Sequence, residues 1–227
     1  MWANHSSQKN FSPRREDMLK VERISVMNFE NALRGARNPM NSWARTDSYY
    51  DDDGNYVLGP NDLGLAVKLA RAGSDHRKFL RQIMVSMDIT APLYWWKEFD
   101  TYKVGTVANS CSTMHKIHAA PFTRDDFSHD RLTEEALAQL DTLIAFLEGE
   151  RVKFVETKDK AHWHNLIQLL PSSYQQMRTV TMNYEVLINM YAARRHHKLA
   201  EWHTLCDEIA SLPYAEQLIL LGEGEDQ

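Results

Sequence analysis

Ile83-Met84-Val85-Ser86-Met87-Asp88-Ile89-Thr90-Ala91-Pro92-Leu93-Tyr94-Trp95-Trp96-Lys97-Glu98-Phe99 is the stretch on which the fold turns. Ile83, Val85, Met87 and Ile89 alternate with Met84, Ser86, Asp88 and Thr90, the period of a strand that buries one face. Ala91-Pro92 follows, and proline suits the first turn of a helix because its missing N–H is unneeded there. The pattern predicts that helix from Leu93 to about Lys103, heavy with Tyr94, Trp95, Trp96, Phe99 and Tyr102. Immediately upstream, Leu63, Ala66, Val67 and Ala70 share a helical face, and Gly73 stands where a C-terminal cap belongs.

Outward from this centre, Lys20 to Phe29 contains a short alternation, Ile24 and Val26 against Arg23 and Ser25, which reads as a strand. Residues 37–61 are loop-like, and Asp51-Asp52-Asp53-Gly54-Asn55 is a solvated turn, since calcium-loop spacing and its closing Glu are missing. Residues 104–117 read as an ordered loop. Leu137, Leu140, Ile144 and Leu147 keep a helical period that stops at Gly149. Leu166 to Leu170 closes at Pro171, and one long helical stretch is expected over roughly 180–211. Residues 1–19 form a polar arm and 222–227 an acidic tail, leaving one helical domain with a few strands at 20–221.

Composition narrows the function. The chain has 227 residues, 43% hydrophobic and 25% charged, with net charge −5. That is a globular balance with no general electrostatic claim on nucleic acid. Two cysteines make no disulfide framework, the N-terminus lacks a secretory pattern, and no run of eighteen apolar residues exists. The expectation is a soluble cytoplasmic protein without membrane or nucleic-acid partners. His115/His118, His162/His164 and His196/His197 lack completing ligands at a recognised interval, so no metal is expected. Cys111 would need His115 or Lys116 to activate it, and a small packed side chain is the simpler reading. The run from Trp95 to Lys103 is either a buried aromatic helix with charges paired at i,i+3 or i,i+4, or a ligand wall. Asn183, Leu187, Met190 and Arg194 lie on one stripe, where the polar members require partners, internal or from a ligand.

The order of these elements resembles the flavin-dependent thymidylate synthases. Gly73, the strand 83–89 and Ala91-Pro92 match the run-in to that family's Arg-His-Arg signature, and Thr106-Val107-Ala108-Asn109-Ser110-Cys111 is similar to the signature's tail. Leu170-Pro171, Thr181-Met182-Asn183, Leu187, Asn189 and Arg194 fall in step with the later helix. Leu199-Ala200-Glu201-Trp202 resembles the Ala-Gln-Trp segment with one residue inserted. The likeness covers about 60–212. Thr101, Tyr102 and Lys103 stand at the Arg-His-Arg positions. Glu98 stands where the family has glutamine, Asn109 for glutamate, Cys111 for serine, Thr113 for arginine and Glu185 for another arginine.

The resemblance implies an α+β fold, a small antiparallel sheet packed with long helices. It also implies a homotetramer with ligand sites between subunits. It assigns FAD contacts to Asn183, Asn189, Lys103 and Thr106, and uracil-nucleotide contacts to Arg194, Glu98, Asn109, Cys111 and Ser112. No catalytic residue is assigned. The implied reaction methylates dUMP to dTMP, with methylenetetrahydrofolate and NADPH as co-substrates. Charged hydrogen bonds contribute about 1.5–3 kcal/mol each, so the lost arginines weaken nucleotide binding unless Lys97, Lys103 or Arg124 substitutes. The alternative is a non-catalytic nucleotide-binding sensor, sponge or regulator on the same fold.

Overall fold

The alternation beginning at Ile83 lies at the centre of a four-stranded antiparallel sheet. The structure, a computed structural model, describes residues 19–221, so the acidic tail and all but the last residue of the polar arm lie outside the described residues. In chain order the elements are strand β1 (Lys20–Met27), helix α1 (Phe29–Arg37), a small hairpin of β2 (Tyr49–Tyr50) and β3 (Tyr56–Val57), and helix α2 (Pro60–Arg71). A 3-10 turn at Arg77–Gln82 leads into β4 (Met84–Pro92), α3 (Leu93–Phe99) and β5 (Val107–Ser110). Then come α4 (Glu134–Thr157), α5 (Lys160–Leu169), β6 (Gln175–Asn183), α6 (Tyr184–Arg194), α7 (Ala200–Ala210) and α8 (Ala215–Leu218). The α+β expectation holds.

Sheet order is β1-β4-β6-β5. Val85 opposes Met182 and Ile89 opposes Arg178 across the central pair, while Asn109 of β5 opposes Thr179. Val85, Met87, Ile89 and Ala91 of β4 and Val180 and Met182 of β6 are buried on one face. The other face is polar: the Thr179 hydroxyl donates to Asp88 Oδ1 at 2.6 Å, and the Thr181 hydroxyl lies 3.2 Å from that of Ser86. Strand β1 is irregular between Glu22 and Ser25, where Arg23 adopts φ 53°.

Four boundaries differ from the sequence expectation. Helix α3 starts at Leu93 as expected, with Pro92 both ending β4 and capping it, but stops at Phe99, short of Lys103. The ordered loop 104–117 contains β5, whose four exposed residues carry no apolar alternation to betray a strand. The helix expected to stop at Gly149 continues to Thr157, because Gly149 is exposed and Leu147 and Phe154 pack on either side of it. The single helix over 180–211 divides into the end of β6, α6 and α7. Residues 175–183 gain their ladder from β4, some ninety positions away, which local periodicity does not register.

The main core joins the buried sheet face to α1, α2, α3, α6, α7 and α8. Trp95 and Trp202 pack with ring centroids 4.6 Å apart, Trp95 stacks on Phe99 at 5.2 Å, and the Trp96 indole donates to Gln176 O at 2.9 Å. Tyr94 donates to the buried Glu201, tying α3 to α7; burial, then that carboxylate, pushes the phenol well above its ordinary range. Beneath α2, Arg37 Nε donates to Asp62 Oδ1 at 2.6 Å, with both side chains buried. Burial opposes the charge on Asp62, but the Ser48 hydroxyl and Arg37 together hold its carboxyl below the usual range. Arg37 also reaches the carbonyls of Ser42 and Arg45, fixing the intervening loop.

A second cluster, with Phe127, Leu140, Leu147 and Leu166, lies between α4, α5 and the loop before them. There Glu150, buried between the helices, accepts from Lys153 Nζ at 2.8 Å, Asn165 Nδ2 at 2.7 Å and His162 Nδ1 at 2.7 Å. These donors push its carboxyl down to about 2 from an ordinary 4.5, Lys153 contributing most. Because the folded value is the lower one, the stabilisation is present above pH 4.5 and disappears as pH falls from 4.5 through about 2. Glu150→Gln is therefore expected to flatten the acid-unfolding profile in that window; denaturant titrations at stepped pH read it, and a variant with the parent's profile would exclude this role.

Candidate functional site

The chain turns sharply after Phe99, with Asp100 N donating to Trp96 O at 2.9 Å and Thr101 N to Glu98 O at 3.1 Å. This turn leaves Glu98 facing the ends of α6 and α7. One carboxylate oxygen, Oε2, accepts from Arg194 Nη1 at 2.7 Å and Trp202 Nε1 at 3.2 Å, and lies 3.2 Å from His197 Nε2. His197 Nδ1 accepts from Leu199 N at 3.2 Å, which puts the proton of the neutral ring on Nε2, toward Glu98. Arg194 Nε donates to Tyr102 OH at 2.9 Å, and its guanidinium lies 4.6 Å from the Trp202 ring centre and 5.6 Å from that of Tyr102. A cation on aromatic faces is attracted by their quadrupoles, so Arg194 is held by charge, hydrogen bond and stacking together. Glu98 thus pairs across the chain and not within the helix. Asp100 does the same, accepting from Arg178 Nη1 at 2.7 Å.

From Tyr102 the chain runs along α6 to its other end. Asn183 is the N-cap of α6, its side-chain oxygen accepting from Val186 N at 3.0 Å, so it does not share a helical stripe with Leu187 and Met190 as the period implied. Gly105, at φ 76°, presses against this cap: a Cβ there would meet Asn183 Nδ2 at 2.9 Å and Val186 Cγ2 at 3.0 Å. The buried Thr106 hydroxyl has no partner among the described residues. Gly105→Ala is expected to destabilise the chain by about 1–2 kcal/mol through the positive φ alone, with the clash in addition. Thermal unfolding measures this, and an unchanged midpoint would mean the loop is free to move away from α6.

The remaining residues scatter. Asn189 and Lys103 are exposed near this loop and helix. Asn109 opposes Thr179 on the polar sheet face, the face away from α3 and Arg194, so one chain does not bring Asn109 and Arg194 together. Exposed Cys111 prolongs the β5 pairing: its N–H donates to Met177 O at 2.9 Å, and Gln176 Nε2 donates to its carbonyl at 2.8 Å. Ser112 Oγ closes a tight turn, accepting from Met114 N at 3.2 Å and His115 N at 3.0 Å. His115 Nδ1 lies 2.8 Å from that same hydroxyl, so the base nearest Cys111 in sequence is engaged with Ser112. Arg124, one of three possible substitutes for the missing arginines, is bound to Asp141 through both Nε and Nη2, at 3.0 and 2.5 Å. Among the described residues no three His, Cys, Asp or Glu gather as a metal site, and no helix is long and apolar enough to cross a membrane.

Sequence reasoning missed Gly105, Arg178 and His197 as members of the site. Arg178 lies 4.2 Å from the Trp96 ring centre and donates to Gln176 Oε1 at 3.0 Å. Its inward direction follows only once 175–183 is known to be a strand. Gly105 alone carried a local signal, a glycine in a loop that must approach a helix.

No family model and no curated protein matches the chain. Solved structures do. Thymidylate synthase X (ThyX) from Helicobacter pylori, crystallised with FAD and dUMP, aligns at 17% identity and TM-score 0.66, covering 89% of this chain and 97% of that one. A second structure of the H. pylori flavin-dependent enzyme with FAD and dUMP aligns at 17% identity and TM-score 0.64, covering 88% and 98%. PolB, a UMP/dUMP methylase from Streptomyces cacaoi bound to 5-Br dUMP, aligns at 14% identity and TM-score 0.61, covering 88% and 90%. Over nearly its whole described length, the chain has the fold of the flavin-dependent thymidylate synthases.

Proposed function

We propose that this protein binds a uracil nucleotide beside FAD and methylates its base in the manner of the flavin-dependent thymidylate synthases, dUMP to dTMP, using methylenetetrahydrofolate and NADPH. The observation that carries the reading is the path of residues 101–106 along α6, from the Arg194 shelf to the capped N-terminus at Asn183. The donor set fits a flavin nucleotide. The Thr106 hydroxyl is buried without a partner, and Lys103 is exposed, a cation suited to a pyrophosphate. Lys103, Thr106, Asn183 and Asn189 would hold the cofactor, and Arg194 with Glu98 would face the nucleotide. When bound, the flavin supplies hydride and one-carbon transfer. The chain's own residues position: Gly105 admits the backbone to the helix end, Trp202 and Tyr102 fix the Arg194 plane, and His197 orients Glu98. Asn109, Cys111 and Ser112, on or beyond the far sheet edge, would serve a site completed by another copy, as a homotetramer provides.

A second reading, non-catalytic nucleotide binding, is favoured by one feature: Glu98 already neutralises Arg194, and Glu185 is paired with Arg77 at 3.0 Å. The test is visible absorbance of the purified protein with and without added FAD, then dUMP-dependent oxidation of NADPH. Flavin bands and turnover support the first reading. Nucleotide binding without flavin selects the second and sinks the first.

A further inference from the structure

Two clefts adjoin beside α2, on ground none of the site residues above occupies. One, of about 600 Å³, is lined by Pro39, Leu65, Leu69, Phe79, Lys78 and Arg81, among others. Its neighbour, of about 880 Å³, is lined by Arg45, Lys68, Asn61 and the edge of Arg37, and no carboxylate lines it. Met40, Ser42 and Leu65 belong to both. Among the described residues, Arg45, Lys68, Lys78 and Arg81 have no ion-pair partner, although the chain as a whole carries net charge −5. Asp75 is the one acidic residue lining either cleft. The floor is rigid. Arg37, buried on Asp62, holds the carbonyls of Ser42 and Arg45 at 3.3 Å each. Met40, which lines both clefts, is 82% exposed; Trp43, between the lining residues Ser42 and Ala44, is 41% exposed, its indole donating to Asn38 Oδ1 at 2.9 Å with Arg34 5.9 Å from its ring centre.

The geometry points to a docking surface for single-stranded nucleic acid. The cations are spread over two clefts, two in each, and so follow a chain of phosphates better than a single anion. Between them lie apolar walls, and next to Ser42 and Ala44 a part-exposed indole, the combination that stacks unpaired bases while cations track the backbone. A duplex hides its bases and would leave Met40, Leu65 and Trp43 without contacts. The net negative charge argues against nucleic acid only as an average. Local potential governs encounter, and here the neighbouring carboxylates of Asp62 and Asp47 are turned inward, Asp62 to Arg37 and Asp47 to the α2 backbone. This surface is independent of the nucleotide site proposed above.

The experiment is fluorescence anisotropy of a labelled oligothymidylate of about 12 nucleotides titrated with the full chain. Four neutralised phosphates predict a log–log salt slope near −2.8, an affinity loss of about 50-fold between about 50 and 200 mM salt. Arg45→Glu with Lys68→Glu should lower low-salt affinity at least about tenfold and roughly halve the slope, with the thermal midpoint unchanged. Trp43→Ala should weaken binding while leaving the slope as it was. Excess dUMP should not displace the oligonucleotide. No binding at low salt, or equal binding by the charge-reversed variant, overturns the proposal. Equal affinity for a duplex of the same length overturns the single-strand assignment, and displacement by pyrophosphate at matched phosphate concentration reduces the surface to a small-anion site.

Discussion

Asp62→Ala is expected to cost about 3–5 kcal/mol of folding stability, because it strands the Arg37 charge in the interior. For a domain of this size that corresponds to a midpoint lower by about 6–20 °C. The figure is large because Asp62 does several things at once. Besides Arg37 it accepts from the Ser48 hydroxyl at 2.6 Å and from the backbone N–H groups of Asp47 and Ser48 at 3.3 and 3.2 Å. Removing the carboxylate unties the end of the 38–48 loop at Asp47 N and Ser48 and strands Arg37 at the same time. The loss should be mostly recovered by replacing both partners, Arg37→Met with Asp62→Leu, since the penalty arises from one unpaired buried charge and not from the absence of an ion pair. Denaturant unfolding of the three variants measures this; a single-mutant loss below about 1 kcal/mol would show that water reaches Arg37 readily.

Glu98→Gln should raise affinity for dUMP about tenfold, near 1.4 kcal/mol, while leaving affinity for uncharged deoxyuridine unchanged. The carboxylate neutralises Arg194 at 2.7 Å, so an arriving phosphate meets a cation already paired and a like charge beside it. Glutamine keeps an acceptor for the Trp202 indole and the Arg194 guanidinium but removes that charge. Arg194→Ala should act in the opposite sense, lowering dUMP affinity without changing the assembly state. Isothermal titration with both ligands decides it: if the dUMP-to-deoxyuridine ratio is the same in Glu98→Gln as in the parent, the phosphate does not read the Arg194 charge. The pairing also explains how Glu98 and Arg194 can coexist at the edge of a hydrophobic core, since either alone would be a partly buried unpaired charge.

How far these features were legible depended on whether their cause was local. The strand at 83–89, the helix after Pro60 and the cap at Gly73 follow from short-range alternation, spacing and backbone freedom, and all appear where expected. Strands β5 and β6 do not, because Val107–Ser110 is exposed and Gln175–Asn183 mixes glutamines and threonines with apolar residues; only pairing with a distant strand makes them extended. The site followed the same division. Arg194 was identifiable as a polar group on an apolar stripe that required a partner, and Glu98 as a charge of the aromatic helix expected to pair within it or to face a ligand. That they require each other depends on the turn at 100–103 and on α6 ending beside it. Asn183 was expected on the helical stripe of a stretch beginning near 180; the helix begins only at Tyr184, which makes Asn183 its cap. Asn109 and Arg194 lie on opposite faces of the sheet within one chain, as a ligand site shared between subunits would require.

The irregularity at Arg23 and the brevity of β5 have a joint effect at the sheet's margins. An outer strand presents unpaired amides and carbonyls that template the addition of foreign chain, the first step toward fibrous aggregation. Here one margin is kinked by the register shift between Glu22 and Ser25, and the other offers only four residues before the Ser112 turn withdraws the chain. One margin is interrupted and the other short, so edge-to-edge growth finds little regular backbone on which to begin.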